Sequence, residues 1–189
     1  MSNTSIMIVG VGGQGTLLAS RILGNTLISA GYDVKVSEVH GMSQRGGSVT
    51  TYVRFGKKVW SPIIEKGGAD IILSFELLEA LRALPFMKPD GQIIVNTQQI
   101  DPMPVITGAA EYPHGIVEAL SARAKVTAVD ALSLAREAGS IKAVNVVLIG
   151  LLAKRTSIPR ERWEENLRAT VPTKFLDINL KAFQLGYES

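Results

Sequence analysis

The run Ile6-Met7-Ile8-Val9 passes without a break into Gly10-Val11-Gly12-Gly13-Gln14-Gly15, and Thr16 then opens a stretch with helical spacing. A short, continuous apolar run suits a strand buried on both faces, the habit of parallel sheets. In the stretch that follows, Ala19, Ile22, Leu23, Leu27 and Ala30 share one stripe, and Gly31 stops it where a left-handed cap costs least. Asp33 to Val39 reads as a second strand. Strand, glycine loop, helix and strand in that order confine the chain to α/β architectures. The loop has the G-x-G-x-x-G spacing, with four of its six positions glycine. Such a turn lets backbone approach a ligand closely and aims the free N–H groups of the next helix at an anion. Gly10, Val11, Gly12, Gly13, Gln14 and Gly15 are therefore candidate phosphate-binding residues. The competing reading is a tight strand-to-helix turn that holds nothing.

Further along, Val49, Thr51, Val53 and Phe55 alternate with Thr50, Tyr52 and Arg54, the period of a half-exposed strand. Gly56-Lys57 turns the chain, and Val59-Trp60 is expected to return antiparallel as a hairpin, with Pro62 ending the pairing. Strands are expected over Ala69 to Phe75, Gln92 to Asn96 and Val126 to Val129. Helices are expected over Glu76 to Leu84, Gly115 to Arg123, Ser140 to Arg155, from Pro159 onward, and Thr173 to Leu185. The three prolines between Asp101 and Pro113 mark loop or irregular edge. The Ser140 to Arg155 helix is apolar nearly all round and belongs in the middle of the fold. The expectation is one domain over residues 1–189, a three-layer, Rossmann-like α/β fold. Its sheet is mainly parallel, with an antiparallel hairpin excursion.

Composition removes several chemistries. The chain has no cysteine, which excludes a disulfide framework, a thiol nucleophile and a thiolate-held zinc or iron–sulfur cluster on it. Its two histidines, His40 and His114, are too far apart for a local metal motif, so no metal site is expected. A net charge of +3 is too small to argue for nucleic acid. The longest apolar stretch, Ala143 to Ala153, falls well short of the roughly 20 residues a spanning helix needs. The first residues do not read as a signal peptide. A cytoplasmic protein without membrane contact is the expectation.

Glu38, at the end of the second strand, stands near the ~20-residue spacing at which a dinucleotide fold grips a ribose. On that reading the chain is a stand-alone NAD(P) or flavin oxidoreductase. The loop Gln44-Arg45-Gly46-Gly47 argues otherwise, because a glycine-rich loop and a strand follow where that fold would place a helix. Two such loops at neighbouring strand ends describe a pocket for an extended polyanion, with Arg45 supplying forked donors.

Taken together, Gly10-x-Gly12-Gly13-Gln14-Gly15 and Glu38-Val39-His40-Gly41-Met42-Ser43-Gln44-Arg45-Gly46-Gly47-Ser48-Val49 resemble the gamma subunit of the 2-oxoacid:ferredoxin oxidoreductases. The second loop is most similar to the indolepyruvate type. The resemblance covers essentially the whole chain. It implies a non-autonomous subunit in the oxidative decarboxylation of an aryl 2-oxoacid to an acyl-coenzyme A. It implies a larger partner carrying thiamine diphosphate, magnesium and iron–sulfur clusters, through which ferredoxin is reached. For this chain it implies coenzyme A on Gly10–Gly15 with the Arg45 loop nearby, and assigns no catalytic residue. Asn145, an amide in an apolar helix, is a third candidate contact or else a core asparagine bonded to loop backbone; burial without partners costs about 1–3 kcal/mol. Glu38 and His40 could face the partner or only anchor their loop. A purely structural subunit, its glycine loops packed against a partner, stays open beside these readings.

Overall fold

The strands are β1 (Thr4–Val11), β2 (Asp33–His40), β3 (Ser48–Gly56), β4 (Ala69–Ser74), β5 (Met87–Asn96) and β6 (Lys125–Val129). The helices are α1 (Thr16–Ser29), α2 (Leu77–Ala83), α3 (Met103–Ile106), α4 (Ile116–Ser121), α5 (Ala131–Ala138), α6 (Val144–Ala153), α7 (Arg160–Thr170) and α8 (Leu176–Glu188). They come from a computed structural model that describes residues 3–40 and 46–189, with only the backbone of His40. The sheet runs β2-β3-β1-β4-β5-β6. β1, β4, β5 and β6 are parallel, and β3 is antiparallel to both of its neighbours.

Strand pleating sorts the apolar residues of β1 between two layers. Ile6 and Ile8 face α1, α6 and α8, whereas Met7 and Val9 face α2 and α4. Residues Ser5 to Val11 are all buried, as the unbroken apolar run requires. All ten residues of α6 are buried, which places it inside the first layer rather than on it. Its closest neighbour is α8, and the two backbones meet at glycines. A Cβ on Gly186 would lie 2.0 Å from the Val147 carbonyl oxygen, and one on Gly150 would lie 2.2 Å from that of Phe183.

Two expectations about the elements need correction. The alternating run is β3, but its partners are β2 and β1, and Val59-Trp60 is not a strand. Val59 is instead buried beneath the β3 exit, its N–H donating to Asp33 Oδ2 at 2.9 Å. The antiparallel excursion is thus the β2–β3 pair, with β3 inserted beside β1. The second correction is α5, which lies where no helix was expected. Ala131, Ala135 and Ala138 are buried and Leu132 and Leu134 pack against the same core, but eight residues are barely two turns, shorter than the window in which helical spacing declares itself. Asp130 caps it, accepting from the Ser133 N–H at 3.0 Å. Among the described residues, no helix is long and apolar enough to cross a membrane.

Candidate functional site

β1 stays paired to its end, where the Phe75 N–H donates to the Val9 carbonyl at 2.9 Å. The chain then has to turn sharply into α1. Gly13 at φ 102° and Gly15 at φ 83° take the left-handed conformations that make the turn. Gln14 folds back over the loop as a brace. Its Oε1 accepts the Val11 N–H at 2.7 Å, and its Nε2 donates to the Phe75 carbonyl at 3.0 Å. That same carbonyl accepts from Asn96 Nδ2 at 3.0 Å, so the ends of β1, β4 and β5 are tied at one atom. Gly10 is buried against the brace: a Cβ there would sit 2.9 Å from Gln14 Oε1.

The sequence-predicted loop residues therefore separate by role. Gly10, Val11 and Gln14 hold the loop's shape, whereas Gly13 is exposed and faces open space. α1 begins at Gly15 without a side-chain cap and with no acidic residue in its first turn. The partial positive charge at its N-terminus is left uncompensated by the helix itself.

The second glycine loop reaches the first through backbone. Gly12 N–H donates to the Gly47 carbonyl at 2.9 Å, and Gly46 N–H donates to the Gly12 carbonyl at 3.5 Å. Arg45 and the other residues of 41–45, as well as the His40 side chain, lie outside the described residues. Glu38 accepts from Ser20 Oγ of α1 at 2.8 Å. Its strand is one position further from β1 than a ribose-gripping strand would be. With β3 between them, β1 and β2 stand about 10 Å apart, not about 5 Å. The topology therefore argues against the dinucleotide reading.

A groove of about 450 Å³ opens beside Gly13, Gln14 and Gly15, across from Gln98, Lys142 and Val144. Among the described residues, Lys142 is the one titratable side chain in its wall. It lies in the single 3₁₀ turn before α6, is exposed, and has no carboxylate at ion-pair distance among the described residues. Neither Lys142 nor Gln98 was picked out from sequence. Lys142 could have been, standing three residues before the conspicuous Asn145.

Asn145 itself is buried. Its Nδ2 donates to the Gly15 carbonyl at 3.2 Å, and its Oδ1 accepts the Val146 N–H at 2.9 Å. It therefore ties the start of α6 to the start of α1. Replacing Asn145 with alanine is expected to cost about 1–3 kcal/mol in urea unfolding, because the buried Val146 N–H loses the acceptor Asn145 supplies, while the Gly15 carbonyl keeps the Ala19 N–H. Among the described residues, no three histidine, aspartate or glutamate side chains cluster to hold a metal. The strongest pKa displacement lies away from the groove. Burial and the neighbouring Glu76 carboxylate, which accepts the Tyr112 hydroxyl, raise that hydroxyl far above the usual phenol range.

A family model described as pyruvate ferredoxin/flavodoxin oxidoreductase matches residues 5–189. The chain is 46% identical over 196 residues to the indolepyruvate oxidoreductase subunit IorB of Thermococcus kodakarensis, covering 100% of this chain and 96% of that one. Two solved structures share its fold. The gamma subunit of the keto/oxoacid ferredoxin oxidoreductase from Geobacter sulfurreducens superposes with a TM-score of 0.74 at 23% identity, covering 98% of this chain and 96% of that one. The 2-oxoglutarate:ferredoxin oxidoreductase from Magnetococcus marinus, solved with 2-oxoglutarate, coenzyme A and succinyl-CoA bound, superposes with a TM-score of 0.78 at 19% identity. That match covers 100% of this chain and 31% of the other.

Proposed function

Since the chain belongs to the pyruvate ferredoxin/flavodoxin oxidoreductase family, we propose that it is the non-autonomous subunit of an indolepyruvate-type 2-oxoacid:ferredoxin oxidoreductase, and that its groove takes the diphosphate of coenzyme A. The observation that carries the reading is the uncapped start of α1 meeting Lys142 across an open groove floored by the glycine loop. Free N–H groups at the helix end donate to the phosphate oxygens, and Lys142 adds a mobile cation. Gly13 lets the backbone come close. Gln14 and Asn145 touch no phosphate in this scheme; they keep the loop and the two helix starts in register. Arg45 contributes from the second loop, which the Gly12–Gly47 bond holds against the first.

The rest of the chemistry falls to a larger partner. Without cysteine the chain cannot ligate an iron–sulfur cluster, and among its described residues there is no acidic set for the metal of thiamine diphosphate. When bound on the partner, thiamine diphosphate supplies the decarboxylation and the clusters carry electrons to ferredoxin. This chain, acting over 1–189 as one gamma-type domain in the cytoplasm, holds the thiol carrier and orients it toward that centre. The isolated chain is colourless and inactive on this reading.

Isothermal titration of coenzyme A into the assembled enzyme tests the groove. Lys142→Gln is expected to weaken coenzyme A about three- to tenfold, a modest loss because the ammonium is exposed and screened. The effect should shrink as salt rises. Unchanged affinity at low salt would remove the diphosphate from this groove. The hydrogen-bonded pairing of the two glycine loops also favours a second reading, a purely structural subunit whose loops shape the partner's active site.

A further inference from the structure

At the opposite end of the sheet from the glycine loop, three connections converge. They are the α1–β2 turn at Tyr32, the β3 exit at Phe55, Gly56 and Lys57, and the α6–α7 link from Arg155 to Ile158. Between them lies a cavity of about 450 Å³, floored by Ile6 and Ile71, which stand in register on β1 and β4. Tyr32 and Phe55 form one wall edge to face, with centroids 5.1 Å apart and planes at 72°. Among the described residues its walls carry two cations, Arg155 and Lys57, and no acid.

Arg155 is half-buried. Its Nη1 donates to the Leu151 carbonyl at 2.7 Å and its Nη2 to Thr127 Oγ1 at 2.9 Å. Both acceptors are neutral, and a guanidinium has five N–H donors. No carboxylate lies at ion-pair distance from Arg155 or Lys57 among the described residues. Desolvation without a compensating anion lowers the pKa of Arg155 from the ordinary arginine value, although the group remains charged. A half-buried, unpaired cation is an uncommon thing to keep beside an apolar cavity, since buried charges are ordinarily paired.

We infer that this cavity is a binding site for a small monocarboxylate with an aryl or branched apolar body. The carboxylate sits on Arg155 with Lys57 at the mouth, and the body lies on Tyr32, Phe55 and Ile71. The volume is in the range of small-molecule sites, and apolar walls with one convergent charge are their usual make-up. A phosphate ester, with its greater charge and hydration, suits these walls poorly. The site is remote from the glycine-loop groove and does not depend on what that groove binds.

The test is a titration of the full chain with 3-phenylpropionate, followed by calorimetry and amide NMR shifts, with 3-phenylpropionamide and inorganic phosphate as comparators. Saturable binding of the acid below about 1 mM is expected, with the amide and phosphate at least about tenfold weaker. The shifting amides should be Gly56, Ser157 and Ile158, with Gly13 and Gly15 unmoved. Arg155→Gln should weaken the acid by about tenfold while leaving the amide's affinity within about twofold. If that variant fails to fold, Lys57→Gln in the exposed turn serves, with a smaller loss for the acid alone. No saturation by about 10 mM, or equal affinity for acid and amide, would overturn the assignment. So would unchanged binding in a folded Arg155→Gln, which would leave Arg155 as a cap on the α6 carboxyl end and nothing more.

Discussion

Gly186→Ala is expected to be the most damaging single methyl the chain can receive. The added carbon would lie 2.0 Å from the Val147 carbonyl oxygen and 2.8 Å from the carbonyl carbon, both backbone atoms of the buried helix α6. Neither can rotate aside. Relief requires α6 and α8 to separate, and all ten residues of α6 are packed. Overpacking of ordinary cores costs about 1–3 kcal/mol, and a backbone-to-backbone collision belongs at or beyond the top of that range. A loss of about 3 kcal/mol would lower the thermal midpoint of a chain this size by about 6–12 °C. Differential scanning calorimetry of parent and variant measures it. A midpoint within about 2 °C of the parent would mean that the helices slide past one another freely at this crossing.

The second large effect concerns chemistry more than stability. Gly13→Val should depress thioester formation about tenfold or more while leaving carbon dioxide release within about twofold, as resolved by single-turnover kinetics on the assembled enzyme. A Cβ at Gly13 meets no atom within 4 Å, so the substitution disturbs no packing. It does stand at φ 102°, a left-handed strain of about 1–2 kcal/mol, and places an isopropyl group where, on the proposed function, the diphosphate approaches backbone. On the proposed function, decarboxylation takes place on the partner's thiamine, before the thiol is needed. Proportional loss of both steps with the subunits still assembled would instead favour loops that organise the partner's active site.

How legible these features were depended on whether the side chains themselves carried the information. The β1 strand, its glycine loop and α1 were readable because buried Ile6 to Val9 and the stripe from Ala19 to Leu27 are large apolar groups at diagnostic spacing. α5 was not, because its eight residues are too few turns for the spacing to stand out. The alternation in β3 showed a strand but carried no record of which strands it joins. That choice follows from long-range pairing, Val53 with both Ile6 and Val36, which local spacing does not encode. In the candidate site, the glycines announced a turn. Their division into braces and an open floor came only from where Gln14 and Asn145 reach, one to Phe75 and the other to Gly15. Lys142 by itself looks like any solvated lysine, and only its place three residues before Asn145 could have marked it.

The insertion of β3 beside β1 also sets a timetable. β1 is made first, yet its two neighbours in the sheet are residues 48–56 and 69–74. An emerging chain that ends at β2 has no partner for either edge of β1, and the face that carries Met7 and Val9 stays uncovered until α2 follows β4 out of the ribosome. The glycine loop has to wait as well, because the carbonyl that steadies Gln14 belongs to Phe75. Assembly through this loop must therefore wait until Phe75 has been made, and slow non-local closure makes this the interval in which a nascent copy is most open to chaperones or to aggregation.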